Sequence, residues 1–255
     1  MGIGRQSPNL DLFQTAGIVI MFPKSILFDL DDTLISAYGN PERAWVKVVT
    51  EYRHRLGMVS VETLAAQISR AAEAFWSDQR RHKIWRHKLG DARREIVRGV
   101  FAQFGLDERD LADELARRFS ELREQEMFLF PGAIETLKGL GELGVPLGLI
   151  TNGSGPVQRA KIERFGLGGF FQHIQIEGEH GFGKPEEQSY LHALGGLGVT
   201  PAEAWIVGDN LVWEVEAPQR LGIFSVWYDG VGKGLPMHTS VRPDRIICSL
   251  TELLE

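Results

Sequence analysis

The stretch ILFDLDDTLIS, residues 26–36, joins a short apolar run to a cluster of acids. Residues 26–28 have the composition of a buried strand. Three carboxylates follow within four positions: Asp29, Asp31 and Asp32. Like charges at this spacing repel one another, and a divalent cation bound by hard oxygen ligands would neutralise them. The stretch therefore predicts a strand that ends at a Mg²⁺ site.

The overall composition predicts a globular cytoplasmic protein. The chain has 255 residues, of which 43% are hydrophobic and 24% are charged, and its formal net charge is −6. This charge argues against general nucleic-acid binding, and no apolar run approaches the roughly 18 residues of a membrane span. The single cysteine, Cys248, excludes an internal disulfide and is typical of a reducing compartment. Residues 1–20 carry little pattern and are interpreted as an N-terminal extension.

After residue 36, apolar residues recur at helical spacing, and this pattern predicts four consecutive amphipathic helices. Asn40 is the expected N-cap of the first helix, the second begins near Ser60, and Asp91 is the expected N-cap of the third. Four such helices with short connections are typical of a helical bundle. We expect this bundle to occupy residues 37–126.

From about residue 128 the pattern changes to alternating strands and helices. Strands are predicted at 145–150, 173–176, 205–207 and 223–227, and helices at 132–143, 156–165, 186–197 and 213–221. Such alternation predicts an α/β fold with a parallel, Rossmann-like sheet. The strand at 25–29 is too short to stand alone and is expected to join this sheet. The predicted α/β core is therefore residues 21–36 and 127–255, with the bundle as an insertion.

Polar side chains follow the predicted strands at 25–29, 145–150 and 205–207, and Lys184 precedes a predicted helix. Because ligands in open α/β sheets lie beyond the carboxyl ends of the strands, these side chains are expected to meet at one edge. Together they would provide acids, a hydroxyl, backbone amides and a lysine. The residues are Asp29, Asp31, Thr151, Asn152, Gly153, Lys184, Asp209 and Glu214.

Four short motifs make the sequence similar to one known family. FDLDDTL, LITNGS, GKP and VGDNLVWEV occur in this order, each at a predicted strand or helix terminus. From about residue 25 to the C-terminus the chain resembles the haloacid dehalogenase-like hydrolase superfamily, in the subfamily with a helical cap inserted after the first strand. The resemblance implies a phosphatase with an α/β core and an α-helical bundle as its cap.

The resemblance also implies roles for individual residues. Asp29 would be the nucleophile that forms an aspartyl-phosphate, and Asp31 the general acid and base. Thr151 would bind phosphoryl oxygens, and Lys184 would neutralise both the nucleophile and the phosphate. Mg²⁺ would be bound by Asp29, by the backbone carbonyl of Asp31 and by Asp209.

The remaining motif positions carry weaker expectations. The backbone amides near Asn152 and Gly153 are expected to bind phosphate, although Asn152 serves equally well as a turn residue. Asp32 is expected to be structural, and Thr33 to hydrogen-bond locally and fix Asp31. Glu214 stands where the family usually has Asp, so the resemblance assigns it no firm role.

The segment 80–98 of the cap is strongly basic in an otherwise acidic chain. Eight basic residues stand against two acidic ones, Asp91 and Glu95. A solvated arginine-rich face is one interpretation. The alternative is that part of the segment faces the cleft and attracts an anionic substrate, with Arg80 and Arg81 as candidate binding residues.

Hydrolysis of a small phosphorylated metabolite, a nucleoside monophosphate or a sugar phosphate, is the predicted function. A phosphomutase with the same motifs remains an alternative. By resemblance, a 2-haloacid dehalogenase lacks the second aspartate, and a phosphonatase needs a cap lysine that nothing here marks. A phospho-ligand-binding relative with a relict site is the alternative outside enzymes. We expect no nucleic-acid or membrane partner, and either a monomer or a homodimer.

Overall fold

A parallel β-sheet forms the centre of the computed structural model, which describes residues 23–37, 39–106 and 108–255. Its strands are β1 (Ser25–Phe28), β4 (Leu147–Thr151), β5 (His173–Ile176), β6 (Ala204–Gly208), β7 (Phe224–Tyr228) and β8 (Arg245–Ile247). Their order across the sheet is β5-β4-β1-β6-β7-β8. The strand that carries the acid cluster is therefore central, with β4 and β6 as its parallel neighbours. The predicted extension at residues 1–20 lies outside the described residues.

Helices connect these strands as the alternating pattern predicts. They are α6 (Ala133–Glu142), α7 (Gly155–Arg164), α8 (Glu177–His180), α9 (Glu187–Leu197) and α10 (Ala217–Gln219). A π-helical segment at Leu211–Glu216 replaces the first part of the helix predicted at 213–221. Strand β8 was not predicted, because three residues with one fully buried side chain give no readable alternation.

The inserted helices begin and end at a small antiparallel pair. Strand β2 (Ile35–Ser36) pairs with β3 (Phe128–Leu129), so the chain leaves the core and returns to it at one place. We call the helices between them the cap: α1 (Pro41–Glu51), α2 (Val61–Ser77), α3 (Gln79–Trp85), α4 (Leu89–Gln103) and α5 (Arg109–Gln125). The domain boundaries at 36/37 and 126/127 stay a prediction.

Local capping chemistry explains where the first cap helices begin. The Asn40 side chain accepts a hydrogen bond from the Arg43 backbone, and Ser60 accepts one from Thr63. The prediction for Asp91 was wrong, since α4 begins at Leu89 and Asp91 lies in its first turn. The described cap residues form five α-helices rather than four, because Asp78 caps the additional short helix α3 at the start of the basic segment.

Cap and core have separate apolar interiors. Trp45 stacks on Phe119 inside the cap at a centroid distance of 3.8 Å. The sheet packs apolar side chains on both faces, one around Phe28 and Leu149 and the other around Leu27 and Ile206. Among the helices of the described residues, none combines the length and the hydropathy that a transmembrane segment requires.

Candidate active site

The predicted site residues follow strands that end at the same edge of the sheet. Phe28 is paired with both Leu149 and Val207, which places the residues after β1, β4 and β6 side by side. The backbone amide of Asp29 donates to the carbonyl of Val207 at 2.9 Å and continues this alignment beyond β1. Parallel pairing therefore places Asp29 between the loop after β4 and the loop after β6.

Lys184 forms the charged centre of the site. Its Nζ lies 2.5 Å from Oδ1 of Asp29 and 2.7 Å from Oε1 of Glu214. The side chain of Lys184 is 1% exposed and that of Glu214 is fully buried. Glu214 also accepts a hydrogen bond from the Asn210 amide at 2.9 Å. The acid that departs from the family motif therefore contacts the lysine directly.

Burial and charge shift the pKa values of these groups. Burial raises the pKa of Asp29, although Lys184 opposes the shift. Burial likewise raises the pKa of Glu214 to about 7, again against Lys184. Burial works against the positive charge of Lys184, but Asp29 and Glu214 hold its pKa above the ordinary lysine value. Two acids thus share one buried cation.

Asp31 is held by two residues of helix α7. Lys161 Nζ lies 2.8 Å from each carboxylate oxygen of Asp31. Gln158 donates through Nε2 to Asp31 at 3.0 Å and to Thr151 Oγ1 at 2.6 Å. Gln158 and Lys161 are both buried. Their spacing of three residues places both side chains on one face of the helix.

Gln158 and Lys161 were not predicted as site residues. A lysine and a glutamine in a helix normally indicate a solvated face, and α7 has only a weakly amphipathic pattern. The signals available in the sequence were their i, i+3 spacing and the Q…K pattern that follows TNG. Packing of α7 beside the end of β1 decides that these two side chains reach Asp31.

The loop after β4 is tied to the loop that carries Lys184. The Asn152 side chain accepts from the Lys184 amide at 2.8 Å and donates to the Lys184 carbonyl at 2.7 Å. Asn152 therefore fixes the backbone of the lysine with both of its polar atoms. The Gly153 amide, expected to bind phosphate, donates instead to Oε2 of Glu177 at 3.1 Å.

Asp32 and Thr33 complete the turn after β1. Asp32 has φ +59, a left-handed conformation that Asp and Asn tolerate better than most residues. Its carboxylate accepts a hydrogen bond from the Ala37 amide at 2.9 Å, as a structural role predicts. Thr33 was expected to fix Asp31, but its hydroxyl donates to Oδ2 of Asp29 at 3.2 Å. That contact corrects the prediction.

Asp209 follows β6 and adds another acid to this edge. Burial raises its pKa to about 9, with further contributions from Glu214, Asp29 and Asp32. Within residues 23–37, 39–106 and 108–255, no three acidic, histidine or cysteine side chains are grouped as metal ligands. The expected Mg²⁺ site needs only two carboxylates and one backbone carbonyl, because Mg²⁺ retains several waters. The excess of carboxylates at this edge fits such a cation.

The basic segment of the cap is divided by the fold. Arg80 and Arg81 are exposed, and the Arg81 guanidinium lies 4.8 Å from the centroid of the Phe75 ring. Their predicted substrate contacts stay a prediction. Arg86, at the C-terminal end of α3, is only 8% exposed and forms an ion pair with Glu177 of the core. The segment does reach the core, through a residue that the sequence analysis did not single out.

Several known proteins are similar to this chain. A family model described as haloacid dehalogenase-like hydrolase matches residues 23–222. The phosphoserine phosphatase of Thermus thermophilus is 30% identical, over 90% of this chain and 97% of that protein. The rat N-acylneuraminate-9-phosphatase is 28% identical, over 90% of this chain and 92% of its own. A crystal structure of a 2-haloacid dehalogenase from Pseudomonas syringae superposes with a TM-score of 0.60 at 28% identity, covering 91% and 96% of the two chains.

Proposed function

The chain belongs to the haloacid dehalogenase-like hydrolases, and on that basis we propose that it is a Mg²⁺-dependent phosphatase of small phosphorylated metabolites. The observation that carries the proposal is the contact of 2.5 Å between Lys184 and Asp29, with Asp31 two residues further on. A buried lysine stabilises Asp29 as a carboxylate, which is the form that attacks phosphorus. Its charge also offsets the repulsion between that carboxylate and an anionic phosphate.

The first chemical step belongs to Asp29. One carboxylate oxygen attacks phosphorus, the bond from phosphorus to the leaving oxygen breaks, and an aspartyl-phosphate forms. Thr33, which donates to Oδ2 of Asp29, leaves Oδ1 to Lys184 and so fixes the orientation of the carboxylate. Thr151 lies on the adjacent strand end, where its hydroxyl would bind a phosphoryl oxygen.

Asp31 would move the protons in both steps. As an acid it protonates the leaving oxygen, and as a base it then takes a proton from the water that hydrolyses the aspartyl-phosphate. Lys161 and Gln158 fix the direction of its carboxylate. Each step needs that orientation, since a proton-transfer group acts only within hydrogen-bond reach of the reacting oxygen.

Asp29, the carbonyl of Asp31 and Asp209 would hold the Mg²⁺. When bound, the cation supplies positive charge against the carboxylates and the phosphoryl oxygens. Glu214 is unsuited to direct binding of the cation as long as its carboxylate stays on Lys184 and the Asn210 amide. We therefore assign Glu214 to the positioning of Lys184.

Asp31 also favours phosphatase over dehalogenase chemistry. The superposed Pseudomonas syringae structure is named a 2-haloacid dehalogenase, so the fold alone leaves both open. Displacement of a halide needs no proton for the leaving group, whereas an alkoxide leaving group does. A carboxylate oriented by a buried lysine and a buried glutamine is expected for the second reaction. A phosphomutase would keep this arrangement and differ in the exclusion of water by the cap.

The substrate class follows from the relatives and from the cap. The phosphoserine and N-acylneuraminate-9-phosphate phosphatases are named for small phosphorylated metabolites. A cap of five helices beside the site would cover it from macromolecules. We propose a nucleoside monophosphate or a sugar phosphate, with the exposed Arg80 and Arg81 as candidate contacts when the substrate is bound.

The test is a panel of phosphorylated metabolites assayed for orthophosphate release with Mg²⁺ and with a chelator. Wild-type protein should turn over at least one metabolite with Mg²⁺, and Asp29→Asn should lower kcat by roughly a thousandfold or more. Asp32→Asn is the matched control: it makes the same charge change three residues away, at a φ that asparagine also adopts. It should keep most of the turnover.

Asp31→Asn separates the two steps. It should slow formation of the aspartyl-phosphate, or leave it trapped when the substrate has a good leaving group that needs no proton. Equal phosphate release with chelator, or an Asp29→Asn protein as active as Asp32→Asn, would contradict the proposed function.

A further inference from the structure

Arg86 is a buried cation at the seam between cap and core. It lies at the joint between α3 and α4, and its side chain is 8% exposed. Its two terminal nitrogens contact the core: NH2 pairs with Oε1 of Glu177, and NH1 lies 3.5 Å from the Lys184 carbonyl. Its Nε has no hydrogen-bond partner among the atoms of the described residues. The guanidinium is therefore held in place by the start of α8 and by the loop that carries Lys184.

Glu177 extends this contact to the loop after β4. Its carboxylate is 3% exposed, pairs with Arg86 through one oxygen and accepts from the Gly153 amide through the other. The imidazole of His87 lies 3.5 Å from the same oxygen that Arg86 contacts. One carboxylate thus connects the cap joint to the loop after β4.

The backbone at Gly183 packs closely against both Glu177 and Asn152. A Cβ on Gly183 would lie 2.7 Å from the Glu177 side chain and 2.5 Å from Asn152 Oδ1. Asn152 in turn holds the Lys184 backbone. A shift of Glu177 would therefore be transmitted to Gly153 and to the lysine that contacts Asp29.

The position of this ion pair indicates a role beyond stabilising the fold. Burial of two charges is unfavourable before any attraction is counted, and apolar pairs of similar size often stabilise a protein as well. Arg86 is also buried while other basic residues of the same segment, Arg80 and Arg81 among them, remain exposed. A buried pair that joins the cap to the loops around Asp29 is suited to positioning.

We propose that Arg86 and Glu177 are positioning residues that set the Gly153 loop and the Lys184 loop for catalysis when the cap is docked on the core. The proposal rests on the proposed phosphatase function. Neither residue acts on the phosphate. Arg86 acts through Glu177 and through the Lys184 carbonyl, so its loss lowers kcat and leaves the chemistry of Asp29 intact.

The experiment compares Arg86→Gln, Glu177→Gln and the double variant in the full chain with Mg²⁺. Each single variant should lower kcat by about tenfold to a hundredfold, the cost typical of a small misplacement of catalytic groups. The factor should be the same for two substrates with different leaving groups. The slowdown of the double variant should be clearly smaller than the product of the two single effects, because both changes break the same ion pair. Arg94→Gln, which removes an exposed pair with Asp91 in the same segment, is the matched control and should stay at the wild-type rate.

Hydrogen exchange gives a readout that does not depend on turnover. Amides of residues 151–155 and 181–186 should exchange faster in Arg86→Gln and Glu177→Gln than in Arg94→Gln, with the cap helices unchanged. If Arg86→Gln does not fold, Arg86→Lys replaces it, since lysine keeps the charge but not the two-ended contact.

Three outcomes would overturn the proposal: additive effects of the two substitutions, a KM effect confined to one substrate, or unchanged exchange in both loops. Failure of the phosphatase proposal would look different, because no phosphorylated metabolite would then be hydrolysed by the wild-type protein. In that case the exchange experiment alone decides whether Arg86 positions the two loops.

Discussion

Basic and acidic side chains are paired in two regions of this molecule, and the two regions differ in the solvent exposure of the pairs. On the cap surface, Arg98 binds Asp113 and Arg118 binds Glu51 through exposed pairs. At the sheet edge and the seam, Lys184, Lys161 and Arg86 form their pairs almost without solvent. Exposed pairs are screened by water, whereas a buried charge that loses its partner is strongly unfavourable. The same residue types are therefore replaceable in one region and constrained in the other.

The strongest test of this contrast is Lys184→Met. Asp29 and Glu214 would lose their shared cation, so kcat should fall at least about a hundredfold. The free energy of unfolding should fall by about 3 kcal/mol at neutral pH, since two buried carboxylates lose their only described cationic partner. The loss should be smaller near pH 5, because the pKa of Glu214 is about 7 and protonation relieves the repulsion. Denaturant unfolding at the two pH values measures this, and an equal loss at both would contradict the explanation.

Lys161→Met tests the pair that orients Asp31. The carboxylate would lose the lysine that lies 2.8 Å from both of its oxygens and keep only Gln158. We expect kcat to fall by about tenfold to a hundredfold, the range for a disturbed proton-transfer group. Lys138→Met, an exposed lysine of α6, is the control. Similar turnover of the two variants would show that the buried pair is dispensable.

Asp209→Asn tests how the carboxylates at this edge of the sheet affect stability. In the folded protein the pKa of Asp209 is about 9, above its value in the unfolded chain. The folded state therefore binds more protons than the unfolded state between about pH 4 and pH 9, so wild-type stability in chelator should decline as the pH rises through this window. The asparagine variant should show a flatter decline.

Mg²⁺ extends the same experiment. At pH 8 it should raise the Tm of wild-type protein by about 5 °C through preferential binding to the folded state. The Tm of Asp209→Asn should change little. Equal shifts in both proteins would place the cation elsewhere.

Arg98→Ala should have the smallest effect. The guanidinium donates to both oxygens of Asp113 at 2.7 Å and 2.5 Å, but the two side chains are 45% and 35% exposed. The free energy of unfolding should fall by less than about 1 kcal/mol, and kcat should not change. A tenfold loss of activity would mean that the surface charges of the cap act on the site after all.

Much of the fold was readable from sequence because its signals are local. Apolar runs bounded by turn residues located β1, β4, β5, β6 and β7 to within one or two residues. Capping by Asn40 and Ser60 located two helix starts. Strand β8 and the β2–β3 pair were missed, because two or three residues give no period, and their pairing depends on distant segments. Helix α3 was missed because its basic sequence has no apolar face.

The candidate site was also predictable only in part from the sequence. Most of the predicted core residues lie at strand ends, and parallel pairing of the strands brings four of them to one edge: Asp29, Asp31, Thr151 and Asp209. Lys184 precedes a helix and reaches Asp29 from there. Gln158 lies inside a helix and had no such marker. Glu177 directly follows β5, but its contacts with Arg86 and Gly153 were not readable from sequence. Glu214 was visible as a departure from the motif, but its contact with Lys184 was not.

By itself, the sequence determined the family, the parallel sheet, the helical insertion and the acids at the strand ends, since each depends on residue type and spacing along the chain. Only the tertiary structure decided which charges are buried and with whom they pair. Arg86 and Arg81 are five positions apart in one basic segment, yet one enters the core and the other faces solvent. The physical reason is that desolvation depends on the surroundings of a side chain in space, and sequence neighbours share almost none of those surroundings.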